Sequence, residues 1–307
     1  MRAISYILAI FLLSSCASIM NQPTTKIKIS SDNSTDIAVG NDNYKIEYEE
    51  KVHVKRQKDS LIIIARQDSL TKTFILKPKN SFNYYANVLS YGLGFIWDSK
   101  SEKRYTYQRN LYLDFSSQSL RKFRPNKKGQ LDIQFSLPHI NTFYLQPQNE
   151  STKSNTGFWG ITGGLEYFYK DNKSLGLSIS AVSDFFVPFP AAVDISGKYE
   201  LMSSTYISLT DNLKIRDFSI GYGINYSKNN WDLRYYDAFD PAPPTSEPVF
   251  KSSQSFGLTL NSYYRLGKHF NIGVIYRPNF IRIKPSTDFV YEHLISVDFA
   301  WKWKIKN

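Results

Sequence analysis

From about residue 130 to the end of the chain, large apolar residues alternate with small or polar ones. Between Phe218 and Tyr226, every second residue is large and apolar, and the residues between them are serine, glycine or asparagine. Because successive side chains of a β-strand face opposite sides, this period of two predicts strands with one apolar face. The alternation recurs in eight segments, which we place at roughly 130–146, 156–170, 174–187, 197–210, 217–237, 252–265, 269–283 and 291–305.

The connections between these segments alternate in length. Short turns fall at 171–173, 211–216 and 266–268, and longer loops fall at 147–155, 188–196, 238–251 and 284–290. Short turns at one end and long loops at the other are typical of outer-membrane barrels. We therefore predict an all-β chain in which residues 130–307 form an antiparallel eight-stranded transmembrane β-barrel. The aromatic segment Phe299–Ile305 resembles the C-terminal targeting strand of such barrels.

The face opposite the apolar one predicts what the barrel contains. It is rich in Gly and Ser, whereas the outer face of a soluble sandwich would carry Lys and Glu. A soluble periplasmic β-sandwich lipoprotein is therefore kept only as an alternative. Eight strands enclose a lumen that side chains fill, so we expect paired charges and no open channel. The residues expected in this lumen charge network are Glu166, Asp184, Arg277, Asp298, Lys302 and Lys304.

The first residues of the chain predict export and lipid attachment. Arg2 precedes an apolar run from Ile4 to Leu13, and the chain's single cysteine follows at Cys16. A basic start, about ten apolar residues and small residues at the cut define a signal peptide, here residues 1–15. Leu13-Ser-Ser-Cys16 resembles the lipobox of bacterial lipoproteins, and this resemblance implies cleavage before Cys16 and acylation of its sulfur, as by palmitate.

Residues 16–118 predict a small β module. Lys26–Ser30 alternates as a strand, and Phe82–Asp98 is apolar and aromatic with two interrupting glycines. Together with the start at Cys16, these features resemble the PEGA-type modules of bacterial surface lipoproteins over about a third of the chain. Ser34–Val39 stands where the Pro-Glu-Gly-Ala turn of that family would be.

A basic segment at 119–129 is expected to link the module to the barrel. Its cations are Arg121, Lys122, Arg124, Lys127 and Lys128. The segment is either a solvated connector or a patch that contacts anionic lipid headgroups. The formal charge of the whole chain is +11. For an exported protein, this charge favours anionic lipid as the partner and not nucleic acid.

Sequence motifs for catalysis are weak. The four histidines are isolated in sequence, and the pattern indicates neither a metal site nor a cofactor. Glu292, His293 and Ser296 lie near the outer end of the last predicted strand, where some barrel enzymes that modify lipid A place a carboxylate, a His and a Ser. The period of two separates His293 from the other two, which opposes a triad. The loop Asp240–Pro248 is Pro-rich, which predicts a rigid exposed loop or a site for an external partner.

These patterns together predict a lipid-anchored protein of a Gram-negative outer membrane, with its N-terminal module facing the periplasm. The expected role is structural, adhesive or scaffolding. The expected partners are outer-membrane lipids, including lipopolysaccharide, and an envelope protein. The alternative function is a barrel enzyme that modifies lipid A or phospholipid.

Overall fold

The computed structural model describes residues 17–90, 92–116, 120–185, 197–236 and 247–306. The predicted signal peptide, Cys16 and most of the Pro-rich loop lie outside these residues. The chain divides into two compact units, Met1–Arg124 and Pro125–Asn307. In the described ranges, no helix is both long and apolar enough to span a membrane.

The first unit contains two four-stranded sheets and a short two-stranded pairing. Its strands are β1 (Thr24–Ser30), β2 (Thr35–Val39), β3 (Asp42–Ile46), β4 (Glu49–Lys55), β5 (Leu61–Gln67), β6 (Leu70–Leu76), β7 (Lys79–Asn80), β8 (Tyr105–Thr106), β9 (Asn110–Leu113) and β10 (Leu120–Arg121). One sheet has the order β10-β9-β1-β4 and the other β3-β2-β5-β6, while β7 pairs with β8. Strand β1 runs antiparallel to β4 and parallel to β9.

Alternating side chains from the two four-stranded sheets form the core of this unit. Ile27 and Ile29 of β1 are completely buried, and so is Ile63 of β5. They pack in one apolar cluster with residues of β2, β4, β6 and β9. This unit is therefore a small β-sandwich, in which burying one face of each sheet supplies the main stabilisation.

Short helices precede and interrupt the strands of the sandwich. They are α1 (Ala17–Met20), α2 (Phe82–Tyr85) and α3 (Leu93–Asp98), with 3-10 turns at Ala86–Ser90 and Glu102–Arg104. Helix α2 begins after Ser81, whose hydroxyl accepts a hydrogen bond from the Tyr84 N–H. Helix α3 begins after Gly92, which has a φ of 83° that a residue with a side chain rarely adopts.

The second unit is a closed antiparallel β-barrel. Its strands are β11 (Leu131–Leu145), β12 (Lys153–Gly157), β13 (Trp159–Lys170), β14 (Lys173–Ser183), β15 (Gly197–Ile215), β16 (Phe218–Tyr236), β17 (Val249–Arg265), β18 (Phe270–Lys284) and β19 (Asp288–Lys306). Strands β12 and β13 both pair with β11 and are separated only by Phe158, so they act as one barrel strand. Antiparallel pairing of β11 with β19 closes the sheet. The predicted eight-stranded antiparallel barrel is confirmed for the described residues.

One predicted turn is wrong. The segment from Asp211 to Arg216 was expected to be a turn, but β15 continues to Ile215 and pairs with β16 along its whole length. The reversal takes place at Arg216 and Asp217, and Arg216 has a positive φ of 56°. The strand is longer because Leu213 and Ile215 continue the apolar alternation on the outer face.

The predicted linker begins inside the first unit. Leu120 and Arg121 pair with β9, and Phe123 is only 9% exposed. The boundary between the two units falls between Arg124 and Pro125. The basic segment is therefore partly folded into the sandwich.

Candidate functional site: the barrel wall and its interior

The outer wall of the barrel is apolar along its strands. Ile179 of β14, for example, is 57% exposed, while its neighbour Ser180 is 1% exposed. The same contrast separates Tyr222 from Asn225 on β16. The large apolar side chains therefore face outward and the small polar ones inward. This arrangement is the reverse of a water-soluble protein and matches a transmembrane barrel.

Aromatic side chains cluster near both ends of β18 and β19. At the end with short turns, Phe270 packs against Trp301, with ring centroids 5.2 Å apart. At the other end, Phe280 and Tyr291 have ring centroids 5.9 Å apart. Ten residues separate Tyr291 from Trp301 along β19. At about 3.3 Å per residue and a tilt of about 40°, this spacing spans about 25 Å along the barrel axis.

That spacing matches a membrane. The apolar band of transmembrane barrels is about 25 Å tall and is flanked by aromatic girdles at both interfaces. Trp and Tyr favour those interfaces because their rings are apolar at one side and can donate hydrogen bonds at the other. The two aromatic clusters therefore mark the expected edges of the bilayer.

A carboxylate between two lysines fills the interior near the short turns. The side chain of Glu166 on β13 is buried, and its oxygens lie 2.7 Å from Lys214 Nζ and 2.6 Å from Lys302 Nζ. The Ser174 hydroxyl donates a further hydrogen bond of 2.5 Å to the same carboxylate. These contacts join β13, β14, β15 and β19 across the lumen. In a low-dielectric interior, a buried carboxylate and buried ammonium groups are stable only when they are paired with one another.

A second polar layer lies further along the interior. Asp298 on β19 is completely buried and accepts a hydrogen bond of 2.6 Å from the Tyr263 hydroxyl. The guanidinium of Arg277, which is 3% exposed, lies 3.7 Å from the centre of the Tyr206 ring. The hydrogen bond holds the Tyr263 ring in the lumen, and the cation–π contact holds the Tyr206 ring there.

Towards the long loops the interior becomes apolar. A cluster of buried side chains lies there and consists of Phe143, Leu145, Val182, Met202, Tyr206, Trp231, Leu233 and Leu294. Beside it, the carboxylate of Glu292 accepts hydrogen bonds from the Gln146 N–H at 3.0 Å and from Asn229 Nδ2 at 2.8 Å. Arg282 lies 3.5 Å from the same carboxylate. This apolar cluster is not among the features predicted from the sequence.

Two cavities inside the described part of the barrel are small. A cavity of about 40 Å³ lies among Glu166, Arg277 and Lys302, and another of about 40 Å³ lies near Trp231 and Glu292. Since one water needs about 10–15 Å³ measured in this way, each cavity holds only a few waters.

Adjacent strands of the barrel also pack closely. A Cβ added at Gly223 would lie 1.9 Å from the Leu209 carbonyl oxygen.

The structure brings together part of the predicted lumen network. Glu166 pairs with Lys302, while Asp298 and Arg277 lie in the next layer. Asp184 lies apart and accepts a hydrogen bond of 2.7 Å from Asn155 Nδ2. Lys304 is exposed near the end of β19.

Lys214 belongs to the network and was missed in the sequence. The reason is that Asp211-Asn212 resembles a turn, so the strand was ended too early. The signal that could have found it is the outward pair Leu213 and Ile215, which leaves Lys214 on the inner face.

The basic segment has its own partners. Arg121 Nε lies 2.9 Å from Asp114 Oδ2, and Arg124 Nε lies 2.7 Å from Asp32 Oδ1. Lys122 Nζ lies 4.9 Å from the centre of the Phe123 ring. Lys127 and Lys128 precede β11, and the Lys128 N–H donates to Asp171 Oδ1 at 2.8 Å. Contact of these five cations with headgroups stays a prediction.

The residues of the enzyme alternative do not meet. His293 lies on the outer wall, where its ring stacks on Tyr144 at 4.9 Å. Ser296 donates inward to Asn141 Oδ1 at 2.7 Å, while Glu292 is held by Gln146 and Asn229. Among the described residues, no group of three or more His, Cys, Asp or Glu is placed to hold a metal ion.

Several solved barrel structures are similar to part of the chain. Ail of Yersinia pestis is 10% identical, with a TM-score of 0.39 over 57% of this chain and 99% of Ail. Neisserial surface protein A is 12% identical, with a TM-score of 0.35 over 56% and 97%. OprG of Pseudomonas aeruginosa is 12% identical, with a TM-score of 0.30 over 59% and 99%. At these values the similarity says nothing about function, and the fold assignment stands on the strand pairing.

Neither a protein-family model nor a curated protein sequence matches this chain.

Proposed function

We propose that this protein is a lipid-anchored barrel of a Gram-negative outer membrane that serves as a structural element or scaffold. The observation that carries the proposal is the outer wall, which is apolar between two aromatic clusters about 25 Å apart. A closed barrel leaves no sheet edge unpaired, which is what hydrocarbon requires of a spanning sheet.

The filled interior supports a scaffolding or adhesive role over transport. Paired charges near the short turns and an apolar cluster near the long loops fill the lumen. A solute would have to displace both layers, so transport through the barrel is disfavoured. What remains available for function is the set of long loops and the sandwich. An envelope protein is the partner that such surfaces suit.

The topology supports a periplasmic location for the sandwich. Leu131 at the start of β11 pairs with Lys306 at the end of β19, so both ends of the barrel sequence lie on the side with short turns. In outer-membrane barrels the short turns face the periplasm. A lipid on Cys16 would then hold the sandwich at the inner leaflet, and lipopolysaccharide would surround the outer half of the wall.

Two measurements test the proposal. The first is incorporation of labelled palmitate in the wild type and in Cys16→Ser; we expect label only in the wild type, and equal labelling would refute acylation at Cys16. The second is conductance across a planar bilayer that contains the purified protein. We expect no steady channel current. A stable current at high salt concentration would refute the claim that side chains fill the lumen.

A lipid A-modifying enzyme is the alternative, but the separation of His293 from Ser296 disfavours it. Mass spectra of lipid A from cells with and without the gene distinguish the two functions. Unchanged spectra are expected for a scaffold, whereas the loss of one acyl modification would favour the enzyme.

A further inference from the structure

The helical part of the first unit has a polar interior. This helical subdomain comprises α1, α2, the turn Ala86–Ser90 and α3. Its completely or almost completely buried side chains include Asn21, Ser81, Asn87 and Asp98. Asn21 Nδ2 donates to the Ser81 hydroxyl at 2.8 Å, and Asn87 Nδ2 donates to Asp98 Oδ2 at 2.7 Å. Hydrogen bonds thus connect the inner faces of its helices.

The outer surface of the same subdomain is apolar. The exposed fraction reaches 84% for Phe82, 77% for Trp97 and 74% for Ile96. The other large apolar residues that are more than half exposed here are Ile19, Met20, Tyr85, Val88 and Leu93. We call these eight residues the apolar patch. Buried polar groups and exposed apolar ones are each unusual in water, and here they occur together.

A lipid surface is the environment that suits this inverted arrangement. Trp, Tyr and Phe favour the boundary between headgroups and acyl chains. Cations lie close by: Lys100 is exposed two residues after α3, and the Arg104 guanidinium lies 5.4 Å from the centre of the Tyr84 ring in α2. Basic side chains beside an apolar face strengthen binding to anionic phospholipid.

The chain that precedes the patch indicates which surface covers it. Asp98 accepts hydrogen bonds from the Ala17 N–H at 2.7 Å and from the Ser18 N–H at 2.8 Å. It also accepts one from the Ser18 hydroxyl. Lys103 Nζ donates to the Ser18 carbonyl at 3.1 Å. Ala17, the residue after Cys16 in the sequence, is therefore fixed inside the helical subdomain.

We propose that the apolar patch inserts into the phospholipid leaflet that holds the lipid of Cys16, so that the sandwich is seated on the membrane through two attachments. The proposal rests on the acylation proposed above. In this arrangement Asp98 clamps the acylated end of the chain, and the helical subdomain lies at the interface at a depth of about 5–10 Å. A flexible tether would allow the sandwich to leave the surface, whereas this clamp does not.

Site-specific fluorescence measures the insertion directly. In the acylated full-length protein, Ile96→Cys supplies a free thiol for a nitrobenzoxadiazole label. Ile75→Cys is the matched control, because Ile75 is 62% exposed but lies on β6, outside the patch. Both proteins are placed in vesicles of phosphatidylethanolamine and phosphatidylglycerol that carry nitroxide lipids. The nitroxide sits either near the headgroup or deep in the acyl chain.

We expect the label at Ile96 to lose at least half of its emission, with stronger quenching by the shallow nitroxide, and the label at Ile75 to lose almost none. No quenching at Ile96, or equal quenching at both sites, would overturn the proposal. Adding Trp97→Glu should restore the emission at Ile96, whereas Tyr48→Glu, at an equally exposed position outside the patch, should not. Equal effects of the two would also overturn it.

Failure of the acylation is detected separately. An acylated Cys16 cannot react with the label, so labelling of the wild-type protein would refute acylation without bearing on the patch. The Ile96 and Ile75 labels are then read in a Cys16→Ser background. Quenching confined to Ile96 there would support insertion by the patch alone, and its loss would overturn the proposal.

Discussion

Removing the buried carboxylate tests whether charge pairing holds the barrel interior. Glu166→Gln preserves the shape of the side chain but leaves Lys214 and Lys302, whose side chains are 15% and 14% exposed, without their carboxylate. Breaking a buried ion pair in this way costs about 3–5 kcal/mol. Asp132 is also buried and interacts electrostatically with both lysines, so it compensates in part. We therefore expect a loss of about 3 kcal/mol.

Equilibrium unfolding in urea, followed by tryptophan fluorescence in detergent micelles, measures this loss. With a slope of about 1–3 kcal/mol per molar urea, the midpoint should fall by about 1–3 M. Glu150→Gln is the matched control, because Glu150 is exposed in a loop and its midpoint should not change. If Glu166→Gln behaved like Glu150→Gln, the interpretation of the interior as a paired charge layer would be refuted.

Three further predictions test the wall, the strand spacing and the clamp. Ile179→Arg should destabilise the barrel by about 2–4 kcal/mol, measured by urea unfolding in vesicles. The control Ile75→Arg, in the sandwich, should leave the stability of the barrel unchanged. Equal effects of the two variants would contradict a lipid-facing wall. Gly223→Ala should lower the stability of the barrel by about 1–3 kcal/mol because its Cβ meets a backbone carbonyl. Gly163→Ala should be tolerated because its Cβ would have no atom within 4 Å. Equal urea midpoints for the two variants would argue against this packing. Asp98→Asn should weaken the charge-assisted hydrogen bonds from α1 to residue 98, each worth about 1.5–3 kcal/mol. The amide hydrogens of α1 should then exchange faster with solvent. Unchanged exchange would contradict the role of Asp98 in holding α1.

The period of two was enough to predict the barrel, because it assigns each residue to the inner or outer face before any pairing is known. It assigns Glu166, Arg277, Asp298 and Lys302 to the inner face, and the structure places the side chains of Glu166, Arg277 and Asp298 in the buried interior. It could not say which of them meet, because contacts across a lumen depend on the register between strands that are distant in sequence. The pairing of Glu166 with Lys302 therefore had to come from the structure.

The apolar layer near the long loops was hidden for a different reason. Trp231 and Phe143 resemble lipid-facing residues in composition. The alternation places Trp231 on the inner face, but Phe143 faces inward only because the strand register shifts between Pro138 and Ile140. In the sandwich, the segment Phe82–Asp98 was noted for its apolar character, but its inverted packing depends on long-range hydrogen bonds of Asp98. A contact between residues 17 and 98 leaves no local pattern in the sequence.

The most direct test of a membrane-spanning barrel is heat-dependent migration on an SDS gel. Outer membranes that contain the protein are extracted in mild detergent, and the extract is run with and without boiling. Because a closed barrel resists SDS until it is heated, we expect a compact, faster-migrating species that shifts to the unfolded position on boiling. A single unshifted band, with the protein released from the membrane in Cys16→Ser, would contradict the account and indicate a soluble β-protein held only by its lipid.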